Sequence, residues 1–182
     1  EDKTVELSGQ VEDWRERMIF EARGRIRQAE IKNLWQGNPS LSGLLNLSLE
    51  VRGTGTRFED WRDSLVLRGA LDIREGSSDL KPLFSFLEGQ STPFDICQFR
   101  LLVRHGRARI AELRLKHPEY FFEAEGSFYL EDQEVDLRAQ FVMMEPWSRL
   151  LAGVQEDWKG FVNAKGRLVI PLFYRGLLSE GF

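Results

Sequence analysis

The feature that most constrains this chain is an alternation of period two that recurs in segment after segment. Met18, Phe20, Ala22, Gly24 and Ile26 alternate with Glu21, Arg23, Arg25 and Arg27. Leu45, Leu47, Leu49 and Val51 alternate with Asn46, Ser48, Glu50 and Arg52, and Leu65, Leu67, Gly69, Leu71 and Ile73 repeat the pattern. Cys97, Phe99, Leu101 and Val103 do the same before a turn at "RHGR" that returns the chain through Ala111, Leu113 and Leu115. In "FFEAEGSFYLEDQEVDLRAQFVM", Phe122, Ala124, Gly126, Phe128 and Leu130 share one side, matched after a polar turn by Val135, Leu137, Ala139, Phe141 and Met143. Successive side chains of a strand point to opposite faces, so every segment has one wet and one dry side. That is the pattern of an antiparallel sheet covered on one side only. Tight turns such as "HGR" and "LEDQE" predict a meander.

Two segments break the period. In "SDLKPLFSFLEG", Asp79 is a candidate N-cap, Leu80, Leu83, Phe84 and Leu87 fall at helical spacing, and Gly89 stops the turn. "EPWSRLLAGVQEDW" predicts a second short amphipathic helix, with Pro146 in its first turn and Trp147, Leu150, Leu151 and Val154 on one stripe. Leu83, Phe84, Leu87, Trp147, Leu150 and Leu151 are therefore the residues expected to lie across the dry face or to plug one end of it. "LWQGNPSLSG" and "EGQSTPFD" are expected linkers. The predicted class is mainly β with two short helices, about eight or more strands, in one domain over 1–182. The chain begins "EDKTVEL", already alternating and without an initiator Met, which predicts a fragment of a longer or processed protein.

Glycine recurs inside the alternating segments "FEARGRIRQAEI", "LVLRGALDI", "FEAEGSFYL" and "VNAKGRLVI", at Gly24, Gly69, Gly126 and Gly166. Glycine weakens a strand, so repeated placement points to a bulge, a bend, close passage of another backbone or ligand, or relief of crowding where a sheet curves.

The chemistry-bearing residues are sparse. Among 182 residues there are two His and one Cys, so a nucleophile has few bases to draw on and no zinc-ligand spacing exists. His105 falls in the turn and His117 beside Pro118, and Cys97 sits on the dry side as a small hydrophobe. "EDQE" is an acidic turn, and "GTG" at Gly53 lacks the fingerprint of a phosphate or dinucleotide loop. Glu123 and Glu125 share a wet face with many other charges and make a poor glycosidase pair. The expectation is a protein without catalytic residues, metal or cofactor. A net charge of -4 with scattered basic residues argues against nucleic acid, and no apolar run reaches the roughly 20 residues a spanning helix needs. Thirteen Phe and five Trp supply more apolar surface than two short helices cover, and a large open apolar patch points to a ligand or partner.

The order of elements from "GLLNLSLEVRGTGTRFEDWRDSLVLRGALDI" onward resembles the C-terminal region of AsmA-like proteins, the group related to TamB and YhdP. The resemblance rests on the "L-x-G-x-L-x-I-x-x-G" run at Leu67 to Gly76, "T-P-F" at Thr92 to Phe94, the turn at Gly106, Pro118, the Gly126 to Leu130 run and the closing "GRLVIPLFYRG". It implies a curved, taco-like β-sheet with an apolar concave groove, in the periplasmic part of a protein anchored in the bacterial inner membrane. It further implies non-enzymatic carriage of phospholipid between inner and outer membranes, with lipid as partner. Leu67, Leu71, Phe99, Leu101, Leu113, Phe128, Leu137 and Phe141 are the candidate groove residues. The other expectation is a structural module of envelope assembly that docks a protein partner by its edge strands.

Overall fold

The computed structural model describes residues 4–12, 18–34, 41–78, 92–129, 131–145, 147–154 and 156–177. The alternating segments become nine strands: β1 Thr4–Glu12, β2 Ile19–Glu30, β3 Leu41–Thr54, β4 Val66–Ser78, β5 Thr92–Arg104, β6 Arg107–Lys116, β7 Tyr120–Tyr129, β8 Glu134–Met143 and β9 Leu168–Leu177. They form one antiparallel sheet in the order of the chain, curved and open, with β1 and β9 as its edges among the described residues. Among the described residues three helices punctuate it: α1 Ile31–Leu34, α2 Phe58–Ser64 and α3 Trp147–Val154, with a 3-10 helix at Glu156–Phe161. Among the described residues, no helix is long and apolar enough to cross a membrane.

Local chemistry explains the meander. His105 and Gly106 both take positive φ, 48° and 68°, between the directly paired Arg104 and Arg107. This two-residue turn has the twist that a hairpin requires. At the next reversal the His117 and Tyr120 backbones exchange hydrogen bonds of 2.9 and 3.3 Å around Pro118 and Glu119. The expected helix at "PWSRLLAGV" is α3, whereas the expected helix at Leu83, Phe84 and Leu87 lies outside the described residues, as do the side chains of Trp147, Leu150 and Leu151.

Three expectations change. The reading that put Ala111 on the dry side fails because β6 bulges there: Leu101 pairs with Ile110 while Arg100 pairs with Glu112. One inserted residue resets the parity, so Ala111 is exposed and Ile110 and Ala108 turn to the apolar side. Gly166 is not a strand glycine; it lies in the turn before β9 at φ 70°. Both expected linkers run into strand, "LWQGNPSLSG" from Leu41 and "EGQSTPFD" from Thr92. A helix the alternation did not announce, α2, sits between β3 and β4.

The buried cluster contains Ile31, Leu45, Ile73, Phe94, Leu115, Phe122, Phe141 and Leu168, and Trp158 and Val162 after α3 pack against it. Tyr120 stacks on Phe141 at 5.8 Å, and its hydroxyl donates to the Pro93 carbonyl, tying β7 to the start of β5. Burial, with Asp95 and Glu119 adding to it, raises the Tyr120 hydroxyl pKa and keeps that donor protonated.

Candidate functional site

The strand register assembles the dry sides into continuous rows running across the sheet. Following direct partners from β1 to β9, one row reads Leu7, Gly24, Leu49, Gly69, Leu101, Ile110, Gly126, Leu137 and Tyr174. Its neighbours are Gly9, Ala22, Val51, Leu67, Val103, Ala108, Phe128, Val135 and Gly176 on one side. On the other are Val5, Ile26, Leu47, Leu71, Phe99, Leu113, Ala124, Ala139 and Leu172. No charged side chain occurs in these three rows. With strands roughly 4.8 Å apart, each row runs on the order of 38 Å.

The recurrent glycines are explained by this geometry. Gly24, Gly69 and Gly126 occupy the same row, interleaved with Leu7, Leu49, Leu101 and Leu137 from adjacent strands. The leucines reach over them: a Cβ built on Gly24 would meet Leu7 Cδ1 at 3.7 Å, and one on Gly69 would meet Leu49 Cδ1 and Leu101 Cβ at 3.7 Å. Those are ordinary contacts. A Cβ on Gly126 would instead collide with the Asp136 carbonyl and lie 3.0 Å from Leu137 Cα, so only there does close backbone approach demand glycine.

Cover over the rows is uneven. Phe141 is 2% exposed and belongs to the buried cluster, and Leu71, Leu113 and Leu137 pack against it. Leu67, Phe99, Leu101 and Phe128 are half-buried. Towards β1 the face opens: Leu7 is 83% exposed, Val5 69% and Val11 62%, and Leu49 is exposed as well. At one margin α2 folds in. Trp61 meets Phe20 edge-on at 5.8 Å and donates from Nε1 to the Gly55 carbonyl at 2.7 Å. The C-terminal end of α2 then anchors the β5–β6 turn, where the Gly106 amide donates to the Arg62 carbonyl at 3.0 Å. Arg62 also reaches Glu131 at 3.2 Å, bracing the β7–β8 turn.

Cys97 lies on this apolar side opposite Ile73 and Leu115. Burial, and secondarily the nearby Asp72 carboxylate, raises its thiol pKa and leaves it a poor nucleophile. On the other side, Arg100 grips Asp72 through Nη2 at 3.2 Å to each oxygen, and Gln98 donates to the same carboxylate at 2.9 Å. Burial opposes the Asp72 charge, but the Gln98 and Arg100 hydrogen bonds and the Arg100 and Arg74 charges outweigh it and hold the carboxyl below its ordinary range. Glu123 accepts from Gln140, a cross-strand partner, rather than facing a second carboxylate. Hollows of about 380 and 670 Å³ open on this polar side, over β5–β8 and β1–β5 respectively.

Comparison with family models, curated proteins and solved structures returns no significant match to this chain.

Proposed function

We propose that the apolar side of this sheet is a non-enzymatic binding surface for the acyl chains of phospholipid, one segment of a bridge-like carrier between inner and outer membranes. The observation that carries the reading is the set of three uncharged rows crossing all nine strands, with the β1 end open to solvent. A sheet edge-to-edge path of this kind suits a ligand that must slide. Leu, Val, Phe and Ala offer repeated, non-directional contacts and no polar anchor, unlike a pocket built to orient one small molecule. Burial of each methylene contributes about 0.8 kcal/mol, so a chain of about a dozen gains on the order of 10 kcal/mol before ordering costs. The surface is taken to line the inside of a taco-like, concave sheet. The resemblance to AsmA-like proteins supports this role and, with it, a periplasmic place in an inner-membrane-anchored parent.

The test is mass spectrometry of lipid extracted from the purified protein and from Leu101→Asp. Acyl lipid in the first and its loss from a still-folded second is the expected result. An unmodified protein free of acyl lipid contradicts the proposal.

One observation favours a second reading, a structural module of envelope assembly. Among the described residues nothing pairs with the outer edge of β1 from Thr4 to Glu12, and its Val5, Leu7 and Val11 are exposed, an arrangement that accepts a strand from a partner. Saturable binding of an envelope protein abolished by Leu7→Asp, with lipid content unchanged, distinguishes it.

A further inference from the structure

We propose that the polar side of the sheet carries an oxyanion site, built on Arg104, Arg107 and Arg109, that takes a phosphate group. Arg104 and Arg107 are direct cross-strand partners flanking the His105–Gly106 turn. Like charges placed opposite each other in a sheet repel, so the pair weakens the hairpin unless an anion sits between them. Arg109 lies two residues further along the same side of β6. Among the described residues, neither Arg104 nor Arg109 has a carboxylate within ion-pairing distance, a state they share with Arg25, Arg68 and Arg138 on the same side, so what marks the site is the gathering of arginines at one hollow. The three arginines border a depression of about 380 Å³ together with Arg138, and its acidic members are Glu125 and Asp136. The lining is therefore net positive in a chain of net charge -4.

Arg107 is held in place. Its guanidinium lies 4.9 Å from the centre of the Tyr129 ring, and Nη2 donates to the hydroxyl of buried Ser127 at 3.0 Å. Stacking and one hydrogen bond fix the plane of the fork while leaving further N–H groups to donate. A fixed fork beside two unpaired ones matches the several acceptor oxygens of a phosphate, which guanidinium groups bind in bidentate fashion. The site lies on the side of the sheet opposite the apolar rows, so it does not rest on the acyl-lipid reading.

Two probes separate the sources of a phosphate: inorganic pyrophosphate by titration calorimetry, and phosphatidylcholine vesicles doped with phosphatidylglycerol by co-sedimentation. Binding of pyrophosphate identifies a soluble phosphate compound, and binding of doped vesicles alone identifies a headgroup; either supports the site if Arg104→Gln and Arg109→Gln each weaken it roughly tenfold. Arg23→Gln, on the same side but paired with Glu21 and Glu50, is expected to leave binding unchanged. Without anion, Arg104→Gln is also expected to raise the unfolding midpoint, a gain that loss of a merely structural arginine would not produce. Binding of neither probe, or equal weakening by Arg23→Gln, overturns the proposal. Arg104→Gln should retain the extracted acyl lipid and Leu101→Asp should retain anion binding, so failure of one reading is visible apart from the other.

Discussion

At the scale of single residues the glycine row gives the sharpest expectations. Gly126→Ala forces a methyl into the Asp136 carbonyl and the Leu137 backbone, and should cost about 1–3 kcal/mol, as overpacking does. Gly69→Ala meets only ordinary contacts and should leave stability within about 1 kcal/mol or raise it, both read from chemical denaturation. Asp72 predicts a pH dependence. Its folded pKa is lowered, so its stabilisation is present above the ordinary carboxylate pKa of about 3.9 and is lost as pH falls below that through the folded value. Asp72→Asn should flatten the acid limb of the stability profile. The glycines were visible in the sequence as a recurring oddity, but not their common row, because a row is defined by the register between strands. Parity was legible on either side of the β6 bulge but not at it: Leu113, Leu115 and the β7 and β8 residues keep the side their alternation assigns, whereas Ala111 and Ile110 exchange faces through one extra residue, which a period of two does not register.

Elements differ in how plainly they announce themselves. The strands were legible because burial on one side imposes a pattern along their whole length, and α3 because Trp147, Leu150, Leu151 and Val154 repeat at helical spacing. α2 was not, since seven residues with three acids and an arginine present too short a pattern, and what fixes the helix is tertiary. Its N-terminus is closed by Asp60, which accepts from the Thr56 and Arg57 amides, and its body by Trp61 against Phe20 and Gly55. Trp61→Ala should therefore cost about 1–3 kcal/mol, loss of the ring contact with Phe20 by a side chain still 37% exposed joined to an orphaned carbonyl, and should loosen the β5–β6 turn through the Arg62–Gly106 bond. Amide exchange should quicken at Gly106 while protection of β7 and β8 is unchanged. Equal loss of protection across the sheet would show that α2 is part of one cooperative core instead.

Across the whole molecule, the sequence reading captured the sidedness and the meander but not the distribution of cover. The dry side is written in every strand; which part of it stays open depends on where the helices land and how far β1 projects beyond them. The described cluster concentrates around Ile73, Phe122, Phe141 and Leu168, while Val5, Leu7 and Leu49 stay exposed. Two substitutions on one side should thus part company. Phe141→Asp places a charge in the buried cluster and should unfold the protein, whereas Leu49→Asp should leave the unfolding midpoint nearly unchanged and act on ligand binding alone. The central claim, that the apolar rows receive acyl chains, is tested most directly by a photo-crosslinking residue placed at Leu49 and, as the adjacent residue on the opposite side, at Ser48. An acyl-lipid adduct is expected at Leu49 and none at Ser48; adducts at both, or at neither, overturn the acyl-chain reading.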